Sequence, residues 1–458
     1  MFGSGDAMLK ELLTPEIVQL IRERRWTDMR DALIMWPPAE VADLIESIDE
    51  PTRVLLLRFL PRYYEAEVFA ELTPGMQNDL LKELTNREVR GLLSELNPDD
   101  RTALIDEMPA EVTRRLLGLL SPEDLAETRQ LLGYPEKSVG RVMTPCFADI
   151  RADMTAAEAL EHIREQGSES ETINVVYVVD ASGKLLDEIS LRHLILANPD
   201  KLVEDIMDGN FVSLSGYSDQ EEAVALIKKY NYLALPVVDS AGVLIGIVTI
   251  DDLMDVAEAE VTEDFQKMGA VSLQAEGGGP IENIREAAVS VLFRSRIGWL
   301  VLLVAVNILS GFEMSFFTDT IAATVALVFF LPLLVGSGGN AGSQSSTLLI
   351  RALATGNVKM SDLRRMFIKE LSVSALLGAT MSAAICGLAF YRGGSRVGIV
   401  VALAMVVIVT ASSLFGMLLP FILYKLGKDP AAASAPLVAS IADISGILIY
   451  FSIASWVV

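Results

Sequence analysis

The sequence predicts a multidomain membrane protein: an N-terminal α-solenoid, a tandem pair of small α/β domains, an acidic connecting helix and a domain of five transmembrane helices. Three observations carry that prediction. The chain contains two unrelated internal repeats, its C-terminal third holds five long apolar stretches, and charge is segregated between the two parts. The 458 residues are 51% hydrophobic yet carry a formal charge of −24. Residues 291–458 hold 11 Lys/Arg against 6 Asp/Glu, a net of +5, which leaves −29 on residues 1–290. Such an acidic half argues against nucleic acid as a partner and towards cations, or is a solvated acidic surface. Cys146 and Cys386 fall in different halves and suggest no disulfide framework, as suits a cytosolic soluble part. The opening "MFGSGDAMLKELL" lacks the apolar core of a signal peptide.

The solenoid is read from a period of twelve. Large apolar residues stand at Trp36, Ile48, Leu60, Leu72, Leu84, Leu96, Met108 and Leu120, and most are followed within three residues by Pro. Proline is tolerated in the first turn of a helix and stops the one before it, so the pattern predicts short helices stacked in pairs. Either a packed helical domain or a contact surface for a neighbour would use such an array.

A second repeat occupies about residues 140–255. "GRVMTPCFADIRADMTAAEALEHI" is echoed by "VEDIMDGNFVSLSGYSDQEEAVALI", and "VVYVVDASGKLLDEISLRHLI" by "ALPVVDSAGVLIGIVTIDDLM". These units resemble a tandem pair of CBS domains, a regulatory module that commonly binds adenine nucleotides or ions and pairs pseudo-symmetrically. "LPVVD" and "GIVTIDDL" keep the pattern in the second unit. In the first, Asp187 stands where a small residue is usual, and His193 matches Asp252, where an acidic residue often meets a ribose.

The acidic connecting helix follows in "IDDLMDVAEAEVTEDF", where Asp251, Asp252, Asp255, Glu258, Glu260, Glu263 and Asp264 lie within fourteen residues. At helical spacing like charges repel, so the helix is either a solvated face or gains from a neutralising cation. Oxygen ligands without His or Cys suit Mg²⁺ or Ca²⁺ rather than Zn²⁺.

Apolar stretches at about 297–317, 320–343, 371–391, 397–424 and 433–458 are each long enough to cross about 30 Å of hydrocarbon. The loop after the second carries Arg351, Lys359, Arg364, Arg365 and Lys369, which marks it as cytoplasmic. Five spans then put the N-terminal domains in the cytoplasm and the C-terminus outside. The first external loop, "GFEMSFFTDT", has neither Lys nor Arg, whereas Arg392 and Arg396 in the third-to-fourth loop count the other way.

Within "SIADISGILIYF" of the last span stands Asp443, ten residues and about 15 Å beyond Ala433. A carboxylate at the centre of a membrane helix costs roughly 2.5 kcal/mol or more, so it calls for a wet or paired environment. Its helical neighbours Ala439, Ser440 and Gly446 are small, which leaves room for a hydrated ion or for close helix packing. The second span ends in "LPLLVGSGGNAGSQSS", and its glycines and the amides Asn340 and Gln344 read as irregular polar backbone lining a cavity. Gly338 and Gly342 also have the GxxxG spacing of close packing.

The whole order, with "GGNAGSQSSTLLIRALATG" and "KDPAAASAPLVASIADISGILIYF", resembles the MgtE family of magnesium channels and transporters over nearly all of the chain. The domains expected are a helical N-domain (1–137), CBS 1 (138–200), CBS 2 (201–257), a connecting or plug helix with its linker (258–291) and the membrane domain (292–458). The resemblance implies a homodimer in the plasma (inner) membrane with a pore on the two-fold axis. Asp443 of each chain would face hydrated Mg²⁺ there, the Ala439 carbonyl contributing nearby. Gly338, Gly339, Asn340 and Gln344 are the pore-lining candidates. Cytosolic Mg²⁺ sites are implied at Asp219, Glu221, Asp252, Asp255, Glu260, Glu263 and Asp264 and, at the membrane face, Asp429. Ala435 and Ser343 replace polar amides of the family pattern, and Asn231 replaces an acid.

Mg²⁺ holds its water tightly and binds through one or two carboxylates, which suits two symmetry-related Asp443 side chains. A carrier for Mn²⁺, Co²⁺ or Ni²⁺ would use the same carboxylate, and inverted repeats, the mark of a secondary transporter, are not visible. The sequence speaks against a membrane metalloprotease, because His162 and His193 are the only histidines, both in the soluble half, and no H-E-x-x-H occurs.

Overall fold

The computed structural model describes residues 17, 19–21, 23–168, 170–271 and 288–457. The opening stretch and the "EGGGP" of residues 276–280, expected as a flexible link into the first span, lie outside the described residues. The chain divides into two compact units, Met1–Ala259 and Glu260–Val458.

In the first unit, successive helices cover Trp26–Leu33, Pro38–Ser47, Glu50–Phe59, Arg62–Ala70, Pro74–Glu83, Asn86–Glu95, Pro98–Glu107, Ala110–Leu117 and Pro122–Leu132. The period of twelve is a helix of about ten residues followed by a two-residue corner. Its apolar marker is the corner residue itself. Ile48, Leu60, Leu84, Leu96 and Met108 each end a helix in extended conformation, ψ 140–167°, and turn their side chains into the core. Proline then opens several of the next helices, where its missing N–H costs nothing. Arg101, only 2% exposed, ties two of these helices together through Glu127 at 2.5 Å, Asp124 at 3.4 Å and the Thr128 hydroxyl at 3.2 Å.

Each α/β repeat is a three-stranded sheet. In the first, β1 (Phe147–Arg151) runs parallel to β2 (Thr172–Val179), which pairs antiparallel with β3 (Leu185–Ser190). The second repeats this with β4 (Leu214–Ser215), β5 (Ala234–Val238) and β6 (Leu244–Thr249). Corresponding positions do different work. At Gly246 of β6 an added Cβ would lie 2.8 Å from the Thr144 carbonyl oxygen, so the second repeat needs glycine there. Its counterpart Asp187 is fully buried and accepts the backbone N–H groups of Glu188, Asp208 and Gly209 at 2.8–3.0 Å, anchoring the segment that joins the repeats.

After β6 the acidic helix Ile250–Met268 runs without interruption. In the second unit, four helices are long and apolar enough to cross a membrane among the described residues: Val289–Ser315, Val325–Ala354, Met360–Lys425 and Ala435–Val457. The five expected spans are nevertheless present. Gly394, at φ 75° and ψ −175°, breaks the 63-residue helix Leu363–Lys425, and the two arms fold back on each other. The Ser382 hydroxyl donates to the Ala402 carbonyl at 2.9 Å across this hairpin, and Gly378 lies against the Val406 backbone. The loop expected around Arg392 and Arg396 is therefore this single glycine corner, which only a residue free to take positive φ makes cheaply.

The second span also differs from the expected 320–343. Thr318–Ala323 is a separate short helix, and the crossing segment Val325–Ala354 opens with the 3-10 stretch Val325–Phe330 that leads directly into the α-helix Leu331–Ala354. It stays helical through the whole glycine run, so the expected irregular backbone is absent. The physical reason is packing: Gly338 faces Ile408 and Ser412, Gly342 faces Ser412 and Val438, and Gly416 lies directly on Gly342. Small residues let the helix backbones approach, and that contact supports a helix which intrinsic propensity disfavours.

Candidate functional site: a carboxylate in the membrane and an acidic interface

Asp443 lies eight residues past the start of the 23-residue helix Ala435–Val457, about 12 Å along its axis and close to its middle. It is half-buried, and among the described residues no cation lies within ion-pair distance of it. The second span holds one side of its surroundings. A Cβ built on Gly339 would stand 3.6 Å from the Ala439 Cβ and 3.9 Å from Asp443 Oδ1, so these three predicted pathway residues share one place. Directly after Gly339, the side chains of Asn340, Ser343, Gln344, Thr347 and Leu348 line an open groove of about 500 Å³. Asn340 and Gln344 lie on this groove together with Thr347. Gly338 does not: it is buried against Ile408 and Ser412 and serves packing only.

Two departures from the family pattern turn out to be neighbours. The Ser343 hydroxyl donates to the Ala435 carbonyl at 3.2 Å, and one turn on Ser346 donates to the Ala433 carbonyl at 3.0 Å. These bonds join the second span to the start of the last.

The cytosolic carboxylates fall into separate groups. Asp252, beside the Thr249 hydroxyl at 2.6 Å, is pushed up to about 7 by burial and by the charge of Asp99. Asp99 and Asp100 of the helical array are likewise pushed to about 7, burial being the larger cause in each. Asp99 is 8% exposed, and its Oδ1 is buried without a hydrogen-bond donor. Burial raises Glu71, with Asp255 and Asp251 adding to it, and burial raises Glu171 beside Asp251. Asp255 is raised by burial and by Glu258 and Asp251. Residues of four sequence-distant segments thus face one another within the first unit. Sequence reasoning missed Glu71, at a helix end, Asp99 and Asp100, at a helix start, and Glu171, in the bend before β2, because nothing local distinguishes them from solvated acids.

Asp219 and Glu221 are placed elsewhere: Asp219 caps the helix Gln220–Tyr230 and accepts the Glu221 backbone N–H at 2.9 Å. Asn231 ends that helix at φ 56°, a conformation Asn tolerates. His193 is exposed in the short helix Leu191–Leu196. In the second unit, Glu263 and Asp429 are bridged by Lys267, at 2.6 and 2.5 Å. Burial raises Asp264 and Asp429 adds to it, while Lys267 offsets part of the rise. Among the described residues no three His, Cys, Asp or Glu side chains converge closely enough to hold a metal ion by themselves.

Comparison with known proteins adds a family to this geometry. The family model MgtE, described as a divalent cation transporter, matches residues 331–453; the MgtE intracellular N domain matches 36–137, and the CBS domain matches 139–200 and 203–259. The magnesium transporter MgtE of Thermus thermophilus is 39% identical over 449 residues, 97% of this chain and 98% of the relative. That of Bacillus subtilis is 32% identical over 449 residues, 98% of both chains. Among solved structures, the cytosolic domain of the Mg²⁺ channel MgtE in complex with ATP matches with a TM-score of 0.50 at 36% identity, over 53% of this chain and all of that one. The soluble part of a magnesium transporter matches at 0.53 and 30% identity, over 55% and 99%.

Proposed function

This chain belongs to the MgtE family of divalent cation transporters, and from that premise we propose that it carries hydrated Mg²⁺ across the plasma membrane into the cytosol and closes when cytosolic Mg²⁺ binds its acidic domains. The observation that carries the reading is Asp443: a carboxylate inside a membrane-length apolar helix, with no cation within ion-pair distance among the described residues, set against Gly339. Asn340, Gln344 and Thr347 are exposed at membrane depth, where polar side chains facing lipid are costly. A second copy of the chain placed against this face covers them and brings two Asp443 carboxylates to one axis. The Ala439 carbonyl and the groove residues then meet the water around the ion rather than the ion itself, and Mg²⁺ passes without losing its shell.

Closure follows from electrostatics. The −29 on residues 1–290 opposes compact packing, and divalent cations between facing carboxylates relieve the repulsion. Asp252 and Asp255 with Glu71, Asp99, Asp100 and Glu171 form one such set, and Glu260, Glu263, Asp264 and Asp429 another. Several weak sites supply the few kcal/mol that a steep response needs. Adenine nucleotide is a second ligand for the CBS pair by analogy with the ATP-bound relative. His193 withholds from the first repeat the carboxylate that Asp252 gives the second. In this reading the N-terminal domains lie in the cytoplasm and the C-terminus outside, which five spans with basic residues on the second-to-third connection support.

The test is Mg²⁺ flux into liposomes containing the purified chain. Asp443→Asn keeps size and removes charge, so it should assemble normally and lose selective Mg²⁺ passage. Undiminished flux through Asp443→Asn would remove the pathway assignment.

A further inference from the structure

A lysine stands among the carboxylates at the membrane face. Lys267, near the end of the acidic helix, places Nζ 2.6 Å from Glu263 Oε1 and 2.5 Å from Asp429 Oδ2. The second contact joins residues 162 apart. Asp429 is held for it, since its Oδ1 accepts the Ala431 backbone N–H at 2.8 Å and caps the turn Pro430–Ala432 that leads into the last span. Next to Lys267, Met268 packs on Ile350, Ala431 and Ala433. All three charged side chains are about a third exposed, so the pairs are less screened than on an open surface. Burial works against the ammonium charge, yet the two carboxylates outweigh it and hold Lys267 above its usual range.

We propose that Lys267 is a tethered counter-cation: it seats the end of the acidic helix on the Asp429 turn when no divalent ion is present, at oxygens a regulatory ion would otherwise occupy. A monovalent ammonium on a flexible stem neutralises only part of the charge of Glu263, Asp264 and Asp429. It keeps the helix end near its seat at low Mg²⁺ and leaves the divalent ion to complete the neutralisation. Lys267 therefore sets how much of the docking depends on the ion. This rests on the regulatory reading above only for its consequence in closure; the docking itself is a property of this chain in divalent-free solution.

Hydrogen exchange of the full-length protein in detergent, followed by mass spectrometry of residues 260–271 in chelator and in saturating Mg²⁺, tests it. In chelator, Lys267→Gln should raise exchange about fivefold to tenfold over wild type, the size expected for losing two partly exposed ion pairs that hold one segment. Lys267→Arg should keep wild-type protection, and Mg²⁺ should restore it to Lys267→Gln. Equal exchange of Lys267→Gln and wild type in chelator, or loss of protection in Lys267→Arg as well, would overturn the proposal. Failure of the transport reading would appear separately, as absent Mg²⁺ flux with the exchange result unchanged.

Discussion

Gly339 of the second span faces Asp443 of the last: a methyl group added at Gly339 would stand 3.9 Å from Asp443 Oδ1 and 3.6 Å from the Ala439 Cβ. Those are ordinary contact distances, so Gly339→Ala should fold and assemble as the wild type does. A larger side chain extends into the space beside the carboxylate, where a hydrated ion would pass. Gly339→Leu should therefore assemble but cut Mg²⁺ flux in liposomes at least tenfold, and flux at the wild-type rate would place the pathway on another face.

The contact between Gly342 and Gly416 is of a different kind. A Cβ on Gly416 would lie 2.0 Å from the Gly342 carbonyl oxygen, and backbone cannot give way as a side chain does. Gly416→Ala should cost about 1–3 kcal/mol and lower the unfolding temperature in detergent. Gly387→Ala, with nothing within 4 Å, is the control and should leave it unchanged or slightly higher.

The soluble interface predicts a pH dependence in divalent-free solution. Asp99, Asp100 and Asp252 are all pushed up to about 7, first of all by burial, whereas in the unfolded chain they titrate near 4. The folded form thus holds protons that the unfolded form has released. The stability these groups contribute is full below about pH 4, falls as pH rises to about 7, and then levels off. The soluble domains should melt at a lower temperature at pH 8 than at pH 6, and Mg²⁺ should narrow the gap. A higher melting temperature at pH 8 would contradict the assignment of these buried carboxyls.

Neutralising Asp252, Asp255, Glu260 and Glu263 together removes charge from both acidic sets while leaving the membrane residues intact. Conduction should persist, and the Mg²⁺ concentration that halves it should rise about tenfold or more. Limited proteolysis of residues 255–271 in abundant Mg²⁺ gives a second readout, with faster cleavage expected in the quadruple variant. Closure at the wild-type concentration would reduce these acids to a solvated surface.

Orientation is checked by cysteine labelling in sealed vesicles. The cytoplasmic probe belongs at Asn357 rather than at neighbouring Gly356, whose φ of 67° favours glycine. A cysteine at Asn357 should react only from the cytoplasmic side and one at Ser315 only from outside. The reverse pattern would put the acidic domains outside the cell.

Periodicity was enough for the architecture. The period of twelve marked the corner residues of the helical array, the echo of "LPVVD" and "GIVTIDDL" marked the α/β pair, and hydropathy found the five crossings, because each of these signals is local and repeats. Asp443 was legible too, since a lone carboxylate in an apolar run is expensive wherever the helix turns. Hydropathy set the second span at about 320–343 rather than at Val325–Ala354 and read its glycines as broken backbone. Those glycines are helical only because Gly416, Ser412 and Val438 come from elsewhere to fill their missing side chains. The same holds for Gly338, which shares a motif with Gly339 but faces Ser412 rather than Asp443, a difference of one residue and about 100° around the helix. Asp99, Asp100 and Glu71 carry no local mark at all: their proximity to Asp251, Asp252 and Asp255 comes from long-range packing, which brings together charges that the chain alone would hold apart.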